Sequence, residues 1–245
     1  MEELKGREKQ IVDERIKKIN ELRDNGINPF SHRFNNHEKR TWSEEIKEKY
    51  SKLKNEEISK SKEILAGRVM MKRSFGKLSF VQLQDLKGFI QLVFQKGESS
   101  EKVINLFKKV DGGDIIGVKG NPTKTKTGEI SILVKELNIL TKSILPLPDK
   151  HSGLKDEDER LRKRYLDIIM NHEVKDIFMK KQRYYATMRN FLVEKGFLEI
   201  ETPILTAGTD EGGVPTAGSR APLWPDRNLY DLSATAQLKG GTGTL

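Results

Sequence analysis

Apolar and polar positions recur on two different periods along the chain, and the change of period divides it. Ile11, Val12, Arg15, Ile16, Ile19 and Leu22 fall at i, i+3, i+4 spacing with charges between them, which predicts a helix over residues 1–25. Asn25-Gly26 stops it and Pro29 follows. The apolar stripe is thin and the opposite face is rich in Lys, Arg and Glu. Such a helix either packs lightly on its own domain with a solvated face or lies along a phosphate backbone. A second helix is expected from near Thr41 through Tyr50 towards Leu53, opened by Thr41-Trp42-Ser43-Glu44 as a capping box. The polar stretch 54–62 then reads as a connection.

From Ile64 the period falls to two. Ile64 to Arg73, Leu78 to Gln84, Phe89 to Phe94, Asp114 to Lys119 and Ile130 to Leu137 read as strands. Turn residues separate them at Ser74-Phe75-Gly76-Lys77, Asp85-Leu86-Lys87-Gly88 and Lys124-Thr125-Lys126-Thr127-Gly128. Between the third and fourth strands a short helix places Val103, Leu106, Phe107 and Val110 on one face. Five strands with a helix between the third and fourth is the element order of an OB-fold barrel. Residues 143–155, with two prolines and a glycine, form a linker. Beyond it Asp156–Met170 and Val174–Lys195 read as helices, Gly196 as a stop, and the alternating Phe197–Glu201 as a strand that leads into Thr202-Pro203. The expected class is therefore α+β: a helical extension over 1–62, a five-stranded barrel over 63–142, the linker, and from 156 to 245 the incomplete start of a second domain.

Composition narrows the function. Lys+Arg number 45 against 36 Asp+Glu, a formal charge of +9, and charged residues make up 33% of the chain. That balance favours a polyanionic partner such as nucleic acid. There is no cysteine, which excludes disulfides, thiolate metal sites and cysteine nucleophiles. His32, His37, His151 and His172 stand at no metal-ligand spacing. No apolar run is long enough to cross a membrane, and the charged N-terminus is no secretory signal, so a cytoplasmic setting is expected. No GxGxxG, Walker loop, HExxH or GxSxG occurs.

An OB barrel binds single strands by joining a basic groove to aromatics that stack on bases. Phe80 shares its alternation face with Leu78, Gln82 and Gln84, a mixed set, so the period leaves open whether its ring lies in the core or on the surface. Gln91, among Phe89 and Val93, either reads a base edge or sits at the rim. Arg68, Lys72, Arg73 and Lys77 could hold phosphates or form a solvated edge.

Several short motifs, in order, are similar to one known family. Ala66-Gly67-Arg68-Val69-Met70, Phe80-Val81-Gln82-Leu83-Gln84-Asp85, Ile90-Gln91-Leu92, Gly113-Asp114-Ile115-Ile116-Gly117 and Lys124-Thr125-Lys126-Thr127-Gly128-Glu129 resemble the anticodon-binding domain of class II lysyl-tRNA synthetases. Leu145-Pro146-Leu147-Pro148-Asp149-Lys150 resembles the family's linker. Gly153-Leu154-Lys155-Asp156 and Arg160 to Asp167 resemble its entry into the catalytic domain. Phe191-Leu192 through Pro203 resembles class II motif 1, about residues 185–203, so the second domain would be the antiparallel α/β catalytic domain. The resemblance implies that Phe80 stacks on an anticodon base, that Gln91 and Glu129 bond base edges, and that Arg68 belongs to the same anticodon-binding set. It implies that Gly212 and Gly213 approach the amino acid and that Pro203 lies in a homodimer interface. It also implies tRNA, lysine, ATP and Mg²⁺ as partners.

The quoted likeness covers about residues 1–213. Neither the Phe-Arg-x-Glu of motif 2 nor the Gly-x-Gly-x-Asp-Arg of motif 3 is found, and these carry the arginines that act on ATP. Residues 214–245 shift to Ala, Gly, Pro and Thr, which fits a truncated or frameshifted gene, an incomplete sequence, or a divergent tail. This chain alone is accordingly expected to bind the anticodon and to lack aminoacylation activity. The alternatives are a non-catalytic OB protein that binds tRNA or single strands, and an aspartyl- or asparaginyl-tRNA ligase.

Overall fold

Alternating β-branched and aromatic residues pair into a sheet that closes on itself. The computed structural model describes residues 6–31, 33, 34, 39–148 and 156–200. The chain forms two compact units, Met1–Asp149 and Lys150–Leu245. In the first, α1 (Gly6–Asp24) and α2 (Ser43–Lys49) precede β1 (Glu63–Phe75), β2 (Leu78–Gln84) and β3 (Phe89–Gln95). Then come α3 (Glu101–Lys108), β4 (Ile115–Lys124) and β5 (Ile130–Thr141). The strands close in the order β1-β2-β3-β5-β4, with β4 paired back to β1. Only the β3–β5 seam is parallel. The expected element order of an OB barrel is met, with β1, β4 and β5 longer than their alternation indicated.

The interior is filled by alternate residues. Val69, Val81, Leu83, Leu92, Ile116, Val118, Ile132 and Val134 have no exposed surface. The helix α3 plugs the barrel: Phe107 lies against Phe94 with ring centroids 4.1 Å apart and planes 20° from parallel. Its N-cap Ser100 accepts a hydrogen bond from the Val103 amide. On the outer surface Gly117 leaves a slot for Phe34, whose ring atoms would stand within 2.4–2.9 Å of an added Cβ. The glycine thus permits the N-terminal extension to lie directly on β4.

The helix α1 ends as its Asn25-Gly26 predicts. Gly26 takes a positive φ of 70°, Ile27 N–H donates to Leu22 and Gly26 N–H to Arg23, a Schellman stop. Its basic face is only partly available to solvent. Arg15 is buried and donates to the carbonyls of Ser143 (2.8 Å), Leu145 (3.0 Å) and Gly112 (2.9 Å). Lys18 pairs with Asp111 at 2.5 Å. The fully buried Lys142 ammonium bonds Asp111 Oδ2 (2.7 Å), Asp114 Oδ2 (2.5 Å) and the Lys109 carbonyl (2.6 Å). Burial pushes the Asp111 carboxyl up, but hydrogen bonds from Lys142 and Lys18 outweigh it and hold it below its ordinary value. Arg15 and Lys18 therefore clamp the extension to its own domain rather than to a phosphate backbone, while Ile16 of the expected stripe is exposed.

The capping box at α2 is shifted by one residue from its expected place. Trp42 takes the N-cap, and Glu45 rather than Glu44 accepts from its amide. Thr41 instead donates to Glu63, which also receives Lys49 and Tyr50. Asp85 accepts from both the amide and hydroxyl of Ser43 at 2.7 Å, fastening α2 to the β2–β3 turn.

The second unit carries α4 (Glu157–Arg162), α5 (Arg164–Met170) and α6 (His172–Glu194). The helix expected over Asp156–Met170 breaks at Lys163, whose φ and ψ of −107° and 47° are not helical. The buried Asp167 gathers Arg160, Arg164 and Asn171 around the break. Burial pushes its carboxyl up, and these donors more than reverse that. Gly196 (φ 81°) stops α6 by the same Schellman bonds as Gly26. Residues 197–200 are not a strand, contrary to their alternation: the Phe197 amide donates to the Leu192 carbonyl at the end of α6, and Glu199 pairs with Arg189 of the same helix. Among the described residues no helix is long and apolar enough to cross a membrane.

Candidate nucleic-acid interface

One irregularity decides which side chains of β1 face outward. Val69 opposes Leu83 and Met71 opposes Gln82, so Met70 is an extra residue in a β-bulge. Alternation beyond a bulge changes face. Leu65 and Val69 point into the barrel before it. Lys72, opposite the buried Val81, points in after it, and Arg73 and Phe75 point out with Phe80.

The outer face of β1, β2 and β3 collects most of the candidates. Phe80 has the opposite parity to the fully buried Val81 and Leu83, so its ring lies on the barrel's surface and not in its core. It opposes Arg73 on β1 and Val93 on β3. Gln91, two residues from Val93, is Phe80's diagonal neighbour, at the about 7–8 Å spacing of such pairs. Gln82 lies directly opposite Gln91. Across the parallel seam Gln91 aligns with Ser131, and the exposed Glu129 lies two residues before Ser131, on the same parity. The β4–β5 turn that carries Glu129 is fixed by its own bonds: the Thr125 amide donates to the Glu129 carbonyl at 2.9 Å and the Glu129 amide to the Thr125 hydroxyl at 3.0 Å. Phe80 on β2, Gln91 on β3 and Glu129 in the turn that leads into β5 thus fall along one diagonal. A ring, an amide and a carboxylate so placed offer a stacking surface beside a donor and two acceptor groups, the set needed to hold an unstacked base and read its edge.

Arg68 stands apart. It opposes Gln84, four residues along β2 from Phe80, or about 13 Å at roughly 3.3 Å per residue. Its guanidinium donates to the Gly113 carbonyl at 2.8 Å, and burial pulls its pKa below the ordinary value against the opposing charge of Asp114. The four cations suggested for phosphate contacts divide. Arg73 is exposed beside Phe80. Lys72 does not belong to this face: its ammonium donates to the carbonyls of Phe107 (3.0 Å) and Val110 (2.8 Å), capping the C-terminal end of α3.

Alternation alone missed Phe75, which reads as a turn residue. It is 64% exposed and meets Phe80 edge-on with centroids 6.3 Å apart. Its signal was an aromatic next to a turn glycine, where neither core nor turn chemistry calls for one. Pro203, Gly212 and Gly213 lie outside the described residues. Among the described residues no cluster of His, Cys, Asp or Glu could hold a metal ion.

Comparison with known proteins finds a match for each of the two units. The family model for the OB-fold nucleic acid binding domain matches residues 64–140. That for class II tRNA synthetases (D, K and N) matches 156–238, reaching into the segment whose composition departs. A lysine–tRNA ligase of Syntrophomonas wolfei is 41% identical over 218 residues, 89% of this chain and 41% of that protein. One from Bacillus subtilis is 41% identical over 217 residues, 88% of this chain and 42% of that protein. One from Staphylococcus epidermidis is 44% identical over 195 residues, 78% and 39% respectively. The chain spans about two fifths of the length of these curated relatives. With a five-stranded OB barrel followed by a class II synthetase segment, and such identity across both, the chain belongs to the class II lysyl-tRNA synthetase family.

Proposed function

We infer that this chain is the tRNA-recognising part of a lysine–tRNA ligase, which joins lysine to tRNA at the expense of ATP. The observation that carries this reading is the diagonal of Phe80, Gln91 and Glu129 on one outer face of the barrel. Phe80 stacks on an anticodon base, Gln91 and Glu129 bond base edges, and Arg68 belongs to the same anticodon-binding set at the far end of that face. Gly212 and Gly213 would border the amino acid and Pro203 a homodimer interface. The apolar side chains that α6 leaves exposed, among them Ile177, Tyr184 and Phe191, suit a helix that is covered in the assembled enzyme. ATP and Mg²⁺ enter through the family, and the described residues of this chain contribute RNA binding rather than chemistry on the acyl or phosphoryl groups.

The test is binding of an anticodon stem-loop of lysine tRNA. Phe80→Ala should weaken it by about 1–3 kcal/mol, the worth of one stacked base. Unchanged affinity would remove Phe80 from the site. Tighter binding of an aspartate or asparagine stem-loop would move the chain to another branch of class II.

A further inference from the structure

The reverse side of the β1–β2 hairpin holds a second feature. A pocket of about 310 Å³ opens between the hairpin, the end of β3 and α3. Lys72, Lys77, Lys96 and Lys108 line it, with the hydroxyl residues Ser74 and Ser79. No carboxylate is among its lining residues. The acid that acts most strongly on Lys72, Asp111, is already engaged by Lys142 and Lys18. Lys72 gives two N–H donors to the carbonyls of Phe107 and Val110 and stands 4.2 Å from the centroid of the Phe107 ring, so its charge is held at the pocket floor. Lys108 leans on the neutral Asn105, and Ser79 donates to Ser74 at 3.0 Å, leaving the Ser74 hydroxyl proton to turn inward. Four cations and a hydroxyl pair converging without an acid form a receptor for a compact oxyanion. The floor is the stacked ring pair of β3 and α3, which lowers the local dielectric and strengthens the attraction.

We propose that this pocket is a phosphate-binding site, separate from the base-reading face and on the opposite side of the same hairpin. Residues 72–80 supply both, so a strand whose base lies on Phe80 can turn its backbone around the tip at Gly76 and set one phosphodiester among the lysines. The same chemistry would accept a free phosphate group. The backbone source rests on the anticodon reading; the free-phosphate source does not.

The experiment uses the full chain and two variants of equal charge loss. One is the pocket triple Lys77→Ala/Lys96→Ala/Lys108→Ala; the other is a control triple at exposed sites elsewhere, Lys52→Ala/Lys60→Ala/Lys62→Ala. Stem-loop affinity is measured from about 50 to 200 mM salt, and inorganic phosphate is titrated against the backbone amide resonances at constant ionic strength. Loss of one phosphate contact on a single strand lowers the slope of log K against log salt by about 0.7, so the wild-type advantage over the pocket triple should fall roughly 2.6-fold across that range. The control triple should change the slope less. If the slope is unchanged, or the stem-loop does not bind at all, but phosphate shifts amides of residues 74–79 and 104–108 in the wild type and not in the pocket triple, the site takes free phosphate. If neither effect occurs, or the control triple reproduces both, the proposal is overturned. Failure of the stem-loop to bind would defeat the anticodon reading and leave the phosphate titration to decide this one.

Discussion

The two units carry similar shares of apolar sequence and use them in opposite ways. In the barrel unit twenty apolar side chains from α1, α2, α3 and all five strands pack into a single cluster. In the second unit Val174 is the only buried apolar side chain among the described residues, while Tyr165, Ile177, Phe178, Tyr184, Phe191 and Val193 stand exposed. A closed sheet satisfies its own backbone and encloses its own core. A pair of short helices and one long one has no interior until something else covers them. The first unit is thus a domain by its own physics, and the helices of the second hold their shape through local bonds, such as the caps at Asp156 and Gly196 and the donors around Asp167.

Core truncation tests that contrast most severely. Phe94→Ala should cost the barrel about 3–5 kcal/mol in urea unfolding, since it removes a buried ring from the stack on Phe107. Phe191→Ala, at an exposed site on α6, should stay within about 0.5 kcal/mol. Comparable losses at the two positions would mean that α6 has a core of its own.

Acid titration sharpens the comparison further. Asp111 is held below the ordinary carboxylate value, so its stabilisation is complete above the unfolded value of 3.8 and is lost as pH falls through the lower folded value. Asp111→Asn should therefore destabilise the barrel by about 1.5–3 kcal/mol near neutrality, and the gap to wild type should narrow as the pH falls through the lowered folded value. Asp167→Asn should follow the same pH course in the helicity of the second unit and leave the barrel's unfolding midpoint in place. A constant Asp111 gap across that range would show that its charge does not contribute.

A smaller loss than at Phe94 or Asp111 is expected at the caps. Ser100→Ala removes the acceptor for the Val103 amide and should lower barrel stability by about 1 kcal/mol, because α3 is part of the barrel's core. Asp156→Ala should change only the far-ultraviolet signal of α4 and not the barrel's midpoint.

What could be read in the chain beforehand followed from how local each cause is. Alternation located all five strands, and Gly26 and Gly196 stopped their helices, because both depend on neighbours in sequence. Arg15 was visible as a member of the α1 stripe, but its carbonyl partners lie 97 to 130 residues away, so its role as a clamp was not. The bulge at Met70 has no signature in the alternation, and without it Lys72 and Arg73 exchange faces. That single residue explains why the adjacent Lys72 and Arg73 turn out to serve different surfaces. At the candidate site, Phe80, Gln91 and Glu129 were named as one set through the family resemblance, and their diagonal required the strand register. The strand expected at 197–200 depended on a pairing partner, which its own residues cannot specify.

The clamp of Arg15 on the carbonyls of Ser143 and Leu145 also sets a schedule for the emerging chain. Its bond to Ser143 spans 128 residues, and at roughly 5–20 residues per second a ribosome takes about 6–26 s to deliver that partner. Until then α1 is a helix without its anchor, and β1 lacks β4. The bond can form only when the last strand and the start of the linker have emerged, so the nascent barrel is latched shut just as translation passes into the synthetase segment.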